Sequence, residues 1–444
     1  GDSTLRKFCD ESVQNLDWLE QHGVRFEASM SPVKTFYPTN KYFLYYSGNE
    51  LVKEYKDVAE SAPRGHRVKW NGFSGQGLMK ALLKSCVDYG VDMMMESRVT
   101  QLIQDGDGRI LGVKILQVAP ESKAKKHFAL YYQLFTKIRM YVPPVASWLR
   151  KQMALIEQEH TVTRLVRARK GVVLSAGGFV FNRPMIKHHA PKYAPGAPLG
   201  SPGCNGNGIR LGESAGGATG NMDRGSSWRF INPPKSWVEG IIVNRAGVRI
   251  VNEASYGARI GEAMAERHDG KATLIFTQAM LKDVLVQLIP GKVWLLLQTA
   301  PALLSLLFNT KRAQTLEALA GKIGLPASAL CETVERYNGF VTKQSDDDFY
   351  KSTDYLRPLD QGPYYAMDVS VGNKIFACPT ITLGGLLVDE TTGQVKRESG
   401  DVFPNLYAAG RTAVGVASHS YVSGLSLADC VFSGRRAGAH ITKP

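Results

Sequence analysis

Cysteine is scarce and scattered in this 444-residue sequence, which bears on two common kinds of site. None of its cysteines is spaced as C-x-x-C or grouped with histidine at zinc-ligand spacing; the six are Cys9, Cys86, Cys204, Cys331, Cys378 and Cys430. Zinc centres and disulfide frameworks need ligands or thiols at short, regular spacings. The sequence therefore predicts no metal site and no disulfide scaffold, and it favours a reducing, cytoplasmic compartment.

Long uninterrupted apolar runs are absent as well. The most apolar stretch is 284–308, but Pro290, Gly291 and Pro301 interrupt it. A helix that crosses a bilayer needs about 20 apolar residues in succession. We therefore expect 284–308 to form an interfacial anchor, a lid over an apolar site or a buried pair of helices, rather than a transmembrane span.

Basic residues outnumber acidic ones, 54 to 40, which gives a formal net charge of +14. Such an excess indicates an anionic partner, either a nucleotide cofactor, a membrane surface or a nucleic acid. The segment 119–169 concentrates lysines and arginines among aromatic residues. This pattern is typical of a membrane-interface segment or of a solvated helical hairpin. No known nucleic-acid-binding motif accompanies the charge, so no nucleic-acid partner is expected.

Two apolar runs end in small residues. The sequence VVLSAGG occupies 172–178, and NLYAAGR occupies 405–411. Each is typical of a buried parallel strand whose carboxyl end meets a ligand. A small-residue helix is predicted to begin near Gly424, and its N-terminal amides suit a phosphate or another electron-rich group. The apolar run 91–95 is predicted to be a further buried strand.

Several motifs together resemble the succinate dehydrogenase/fumarate reductase class of FAD flavoproteins, and within it the 3-ketosteroid dehydrogenases of the Δ4-(5α) type. They are PRGH at 63–66, VVLSAGGF at 172–179, VNEASYGARIG at 251–261, TLGGL at 382–386, and YAAGRT, SYVSGLSLAD and SGRRAG between 406 and 438. The resemblance covers most of the chain. The segments 119–169 and 284–308 have the character of insertions.

The resemblance implies an α/β fold. A discontinuous, Rossmann-like FAD-binding domain would comprise 1–223 and 376–444, and a smaller α+β cap domain for the substrate would comprise 224–375. The family begins with a βαβ unit that carries a G-x-G-x-x-G turn, which this sequence lacks. We expect about a hundred residues of that kind to precede the sequence. The alternative is a relative without this nucleotide grip.

The resemblance also implies which residues bind FAD. The backbone of Val99 would meet the adenine, and the glycine-rich strand ends would lie along the cofactor. The helix that starts at Gly424 would direct its N-terminus at the flavin ring. The full set is Val99, Ala176, Gly177, Gly178, Ala409, Gly410, Arg411, Gly424, Leu425, Ser426 and Leu427.

Three residues are implied for catalysis. Tyr421 would polarise the C3 ketone of a steroid, as a donor in an oxyanion hole does. Ser423 would accept the C4 proton and pass it to Tyr256, and flavin N5 would take the C5 hydride. The two tyrosines could also exchange roles. The electron acceptor is not indicated.

Three alternatives remain open. The first two are a Δ1-ketosteroid dehydrogenase and an enzyme like fumarate reductase, with Arg259 and His419 as candidate ligands. The third is a flavin-free scaffold or interaction subunit. The peripheral membrane contact would run through 119–169 and 284–308.

Overall fold

Helices and short strands alternate along the chain. The structure, a computed structural model, describes residues 1–31, 39–138, 142–289 and 298–443, apart from the side chain of Pro143. Within these residues the helices are, in chain order, α1 (Asp2–Asp10), α2 (Ser12–Gln21), α3 (Lys53–Lys56), α4 (Ser74–Asp88), α5 (Lys123–Ile138), α6 (Pro143–Glu159), α7 (Arg183–His189), α8 (Asn207–Ser214), α9 (Lys235–Val238), α10 (Gly257–Arg267), α11 (Gln278–Gln287), α12 (Ala300–Phe308), α13 (Leu316–Ile323), α14 (Ala327–Lys343) and α15 (Leu425–Ile441).

The strands are mostly short and belong to several small sheets. In chain order they are β1 (Leu44–Tyr45), β2 (Gly65–His66), β3 (Ser97–Gln104), β4 (Ile110–Val118), β5 (Thr161–Arg167), β6 (Val172–Leu174), β7 (Ala197–Pro198), β8 (Thr219–Gly220), β9 (Gly225–Ser227), β10 (Ile241–Val243), β11 (Thr273–Thr277), β12 (Thr310–Ala313), β13 (Tyr364–Asp368), β14 (Pro379–Thr382), β15 (Gly385–Leu386), β16 (Gln394–Lys396) and β17 (Val402–Ala408).

One sheet contains the parallel strand pair that the sequence predicts. Its strand order is β16-β17-β6, with β17 and β6 parallel. Its core is formed by apolar residues from both strands and their surroundings, among them Leu174, Leu406 and Phe403. Each fully buried side chain of this kind contributes about 1.5–3 kcal/mol. In β17, Leu406, Tyr407 and Ala408 are buried in succession, which explains why this strand appears in the sequence as a continuous apolar run, whereas Val173 of β6 is 38% exposed.

A second core surrounds a four-stranded antiparallel sheet in the order β10-β11-β13-β12. Its apolar residues all lie between Ile231 and Cys378, and they include side chains of α10, α11 and α14. Two helices here begin with a side-chain cap: the hydroxyl of Thr277 accepts from Met280 N–H, and that of Thr315 from Ala318 N–H. Such caps satisfy amides that would otherwise lack a partner.

The basic segment 119–169 forms a helical hairpin, α5 and α6, inserted between two strands of an antiparallel sheet in the order β3-β4-β5. Phe128, Tyr131, Phe135 and Ile138 of α5 face α6, where they meet a small buried cluster that includes Leu149. Their spacing of three and four residues places them on one side of the helix.

The prediction of a buried strand at 91–95 is wrong. These residues form no strand, and Val91 and Met95 are 51% and 62% exposed. The described residues provide no partner strand beside them, so their apolar side chains stay on the surface.

The apolar stretch 284–308 is described only in part. Its first residues complete α11, and α12 covers its last nine, whereas 290–297 lie outside the described residues. Among the helices that are described, none is both long and apolar enough to cross a bilayer.

Candidate functional site

The two predicted strand ends lie side by side. Ala408 of β17 is paired with Leu174 of β6, so both strands release the chain at the same edge of the sheet. Ala409 N–H donates to Leu174 O at 3.0 Å, and Thr412 Oγ1 donates to Gly177 O at 3.1 Å. The carboxyl ends of parallel strands are where ligands bind in open α/β sheets. The structure therefore brings the two predicted cofactor segments together.

The glycines at this edge are required for close packing. Gly177 and Gly410 have φ values of +82° and +56°. A Cβ on either would lie 2.9 Å from a cysteine sulfur, of Cys204 and Cys430 respectively. An L-residue in this conformation is strained even where space exists. The result is a rim of bare backbone that can approach a ligand closely.

Val99 joins the same edge through α8. The side-chain amide of Asn207 donates to Val99 O at 2.9 Å. The next residue, Gly208, packs so closely that a Cβ would lie 3.1 Å from Ala176 Cβ and 3.0 Å from Thr412 Cγ2. The residues that the sequence assigns to the two ends of the cofactor are thus parts of one continuous surface.

The N-terminus of α15 opens towards free space. Gly424, which precedes the helix, has φ +85° and no heavy atom within 4 Å of where a Cβ would lie. Leu427 in the first turn is 56% exposed. The first amides of a helix carry a partial positive charge. This end of α15 therefore fits an electron-rich ring edge, as the sequence predicts for Gly424, Leu425, Ser426 and Leu427.

A guanidinium of the strand end at 405–411 and a buried carboxyl of α15 border one small cavity. Arg411 Nη2 contacts Cys204 Sγ at 3.4 Å. Asp429 is buried, and burial raises its pKa to about 6, although Arg436 and the amide of Val416 act in the opposite direction. Arg411, Asp429 and Ser426 border a small cavity together with Tyr421. Bare glycines, helix amides and a guanidinium form the donor set that a dinucleotide needs.

The three predicted catalytic residues meet in one cluster. The Ser423 hydroxyl is hydrogen-bonded to Tyr256, and Tyr421 lies close enough to influence the ionisation of Tyr256. Tyr256 and Tyr421 are 1% and 7% exposed. Ser426 N–H donates to Tyr421 Oη at 3.4 Å, which links the cluster to the N-terminus of α15. Helix start and catalytic candidates are therefore adjacent.

Both tyrosines are protonated over the ordinary pH range. Burial raises the pKa of Tyr421 to about 12. Burial also raises the pKa of Tyr256 well above 10, and the neighbouring Tyr421 and Tyr45 add to that rise, whereas the hydrogen bond with Ser423 opposes it. A protonated, buried tyrosine is a hydrogen-bond donor with no water to compete for it.

Aromatic rings build a wall beside this cluster. The Tyr421 ring stacks on Trp228 with 4.7 Å between centroids, and Tyr256 meets Phe230 edge-on at 5.8 Å. Ile381 and Leu383 complete the same apolar cluster. Hydroxyl groups set in an aromatic and aliphatic surface suit a large apolar substrate that carries one polar group.

Tyr45 is a member of this cluster that the sequence did not reveal. Its hydroxyl is 2.8 Å from Ser423 Oγ, and Tyr45 itself is buried, with 5% of its surface exposed. The PRGH motif at 63–66 is the part of the sequence that relates to Tyr45, because its Gly65, in β2, is paired with Tyr45 of β1. A Cβ at Gly65 would lie 2.7 Å from the Tyr45 ring.

Asn49 and Ser47, also missed, fix the cluster from the same segment. Tyr256 N–H donates to Asn49 Oδ1 at 2.7 Å, and Ser423 N–H donates to Ser47 O at 2.8 Å. These bonds hold the two catalytic candidates to a turn about 200 or more residues away in the sequence. No pattern within that turn marks them.

A cavity of about 1150 Å³ adjoins Tyr421, between the segment 47–61 and α10. Its rim is charged. Arg259 there donates to Tyr55 Oη at 2.8 Å and to Glu54 Oε2 at 2.7 Å, so its guanidinium is already engaged. His419 is exposed and lines the same cavity. In the described part of the chain, no three metal-ligating side chains converge.

Several known proteins are similar to this chain. Residues 3–427 match the protein-family model described as FAD binding domain. A 3-oxo-5-alpha-steroid 4-dehydrogenase from Comamonas testosteroni is 35% identical over 419 residues, which cover 92% of this chain and 77% of that protein. A cytochrome-type fumarate reductase from Shewanella frigidimarina is 26% identical over 399 residues, which cover 86% and 57%.

One solved structure aligns over nearly the whole chain. It is the 3-ketosteroid-delta4-(5alpha)-dehydrogenase from Rhodococcus jostii RHA1 in complex with 4-androstene-3,17-dione. The TM-score is 0.79 and the sequence identity 29%, and the alignment covers 99% of this chain and 79% of that one.

Proposed function

The chain belongs to the FAD-binding domain family of flavoproteins, and we propose that it dehydrogenates a 3-ketosteroid across C4–C5. The observation that carries this proposal is the position of the Ser423 hydroxyl, bonded to two buried tyrosines beside an aromatic wall. FAD, when bound, supplies the acceptor for the hydride that leaves C5. The cofactor surface comprises Val99, 176–178, 409–411 and 424–427.

Tyr421 is proposed to polarise the C3 ketone. Its hydroxyl stays protonated, since burial raises its pKa to about 12. As the C4 proton leaves, negative charge develops on the C3 oxygen, and a fixed hydrogen-bond donor stabilises that charge. Stacking on Trp228 holds the phenol ring in place.

Ser423 is proposed to take the C4 proton. A hydroxyl is a weak base, so it must release its own proton as it accepts another. The proton of Ser423 then passes to the oxygen of Tyr256 or Tyr45, and that tyrosine releases its own proton to solvent, so no net charge builds up on the relay. The C–H electron pair stays with the substrate as the C3 oxygen gains charge. Both tyrosines are within hydrogen-bonding distance of Ser423.

The division into domains is part of the proposal. We assign 1–223 and 376–444 to a discontinuous, Rossmann-like FAD-binding domain and 224–375 to an α+β cap domain for the substrate. Two separate apolar cores support it, one at the parallel strands and one between Ile231 and Cys378. Tyr256 comes from the second part and Tyr421 from the first, which would place the site between the two.

We include a peripheral membrane contact through 119–169 and 284–308 in the proposal. Exposed apolar residues support it in both segments: Trp148 is 52% exposed, and Leu307 and Phe308 are 73% and 71% exposed. A steroid partitions into membranes, so an enzyme at the surface has its substrate at hand.

An anaerobic absorbance titration with a 5α-reduced 3-ketosteroid tests the reaction. We expect the oxidised-flavin band to bleach with native protein and to persist with Ser423→Ala, which retains FAD. Flavin that never bleaches with any saturated 3-ketosteroid contradicts the substrate class, and a dicarboxylate would be tried next. Purified protein with no flavin contradicts the enzyme and supports a scaffold.

A further inference from the structure

The outer face of the hairpin α5–α6 carries an ordered stripe of basic and apolar side chains. In α5 the stripe follows the spacing three, four, four, three and is exposed throughout: Lys123, Lys126, Leu130, Leu134 and Lys137. Residues at this spacing lie on one side of a helix. Leu130 and Leu134 are 50% and 42% exposed. The stripe lies away from the buried contact with α6, which uses other residues of the helix.

The second helix continues the pattern. Trp148, Lys151 and Leu155 are exposed at a spacing of three and four. The Trp148 ring meets Tyr131 edge-on at 6.0 Å, on the side of α5 that faces α6. An indole at such a position suits the boundary between water and lipid, since the ring is apolar and its N–H is polar.

Charge is concentrated in this segment. Residues 119–169 contain ten lysines and arginines against three acidic residues, which is half of the net charge of the chain in 51 residues. The helix α5 has no acidic residue, and Glu157 and Glu159 stand at the end of α6 that leads into β5. A surface of this sign attracts anionic headgroups, at roughly 1 kcal/mol per lysine or arginine near the membrane.

We propose that the outer stripe of α5 docks on an anionic lipid surface, with the lysines at the headgroups and Leu130 and Leu134 at the acyl boundary. This narrows the contact to one face and one class of lipid. By contrast, α12 is apolar but contains no charged residue. A nucleic acid would be held by the same lysines, but it offers no apolar layer for Leu130 and Leu134, so lipid fits the stripe better.

Flotation of the full chain with vesicles tests the proposal. We expect binding to phosphatidylcholine mixed with phosphatidylglycerol at about 3:1, and little binding to phosphatidylcholine alone. The double variant Lys126→Glu/Lys137→Glu should weaken binding at least about tenfold. Lys271→Glu/Lys374→Glu, the same charge change at exposed lysines outside the hairpin, is the matched control and should weaken it far less.

A second pair of variants separates lipid from nucleic acid. Leu130→Gln/Leu134→Gln should weaken vesicle binding and leave any binding to single-stranded RNA unchanged. Equal losses in the hairpin and control charge variants, or no binding to anionic vesicles, would overturn the proposal. Vesicle binding that survives the leucine changes, with strong RNA binding, would assign the face to nucleic acid. The assay needs no turnover, so its failure leaves the steroid reaction standing.

Discussion

Tyr45 Oη and Ser423 Oγ are 2.8 Å apart although 378 positions separate them in the sequence. The pair joins a short strand near the beginning of the chain to the turn that precedes α15. The Ser423 hydroxyl has one proton and is hydrogen-bonded to two tyrosines, Tyr45 and Tyr256. Which of them accepts its hydrogen bond therefore depends on both partners.

Tyr45→Phe should lower kcat about fivefold with little change in KM. The change removes one hydrogen bond to the proposed base, which is worth about 1 kcal/mol, and leaves the ring packing intact. Steady-state kinetics with the steroid and an artificial electron acceptor measures the effect. Tyr46→Phe, the next residue and outside the cluster, is the control and should stay within twofold.

A double-mutant cycle tests whether Tyr45 acts through Ser423. In a Ser423→Ala background, Tyr45→Phe should have no further effect, because the bond it removes is already absent. Independent losses in the two backgrounds would contradict the relay and leave Tyr45 as a packing residue.

Tyr421→Phe should lower kcat by about a hundred- to a thousandfold, the usual cost of losing one oxyanion donor. Flavin content and steroid binding, the latter read from the flavin spectrum, should remain, since the ring and its stacking on Trp228 are kept. A variant that loses binding and kcat in proportion would place Tyr421 in ground-state binding instead.

Gly424→Ala should reduce FAD content. Gly424 has φ +85°, and a methyl group there would enter the open space before α15. Gly23→Ala is a matched control, because Gly23 has φ +84° and equally open surroundings at the end of α2. Both changes should cost about 1 kcal/mol of stability. Only the first should release flavin, and equal flavin contents would contradict the predicted role of the helix terminus.

Asp429→Asn should stabilise the protein at neutral pH. The folded-state pKa of Asp429, about 6, lies above its ordinary value of 3.8. Ionising this buried carboxyl destabilises the folded state. The free energy of unfolding is therefore unaffected by Asp429 below pH 4 and decreases as the pH rises through 6. The gain from asparagine should grow from near zero at pH 4 to about 2–3 kcal/mol above pH 7, measured by urea unfolding.

Asp389→Asn is the control of opposite sign. Partial burial pushes the pKa of Asp389 up, but hydrogen bonds from Thr392 and Thr391 leave it lowered. A carboxyl with a lowered pKa stabilises the fold at pH values above its ordinary pKa, and this stabilisation is lost on acidification. This variant should therefore lose stability at pH 7 and approach the native protein towards pH 3. A difference in unfolding free energy between Asp429→Asn and the native protein that does not change with pH would contradict a raised pKa for the buried Asp429 carboxyl.

Local patterns were sufficient for the elements that carry the site. The strand ends at 172–178 and 405–411 and the start of α15 follow from runs of neighbouring residues, whereas Tyr421 and Ser423 were implied by the family resemblance. The contacts between them were not readable without the family resemblance, because nothing in either apolar run states which strand it will pair with.

Two failures have a common physical cause. The run 91–95 has strand-like composition, but strand formation needs a partner, and the described residues supply none there. Tyr45 and Asn49 act only through distant residues, Ser423 and Tyr256. The composition of a segment indicates which contacts its side chains can form, but the tertiary fold determines which residues they contact.

The order of synthesis has a consequence for this site. Strand β17 and helix α15 lie in the last part of the chain, and Thr412 reaches back 235 positions to Gly177. Neither the cofactor edge nor the Ser423 cluster can assemble until the ribosome has released those residues, so both form later in synthesis than the elements that surround β6. Until then β6 lacks the strand it pairs with, and its free edge is open to pairing with other strands.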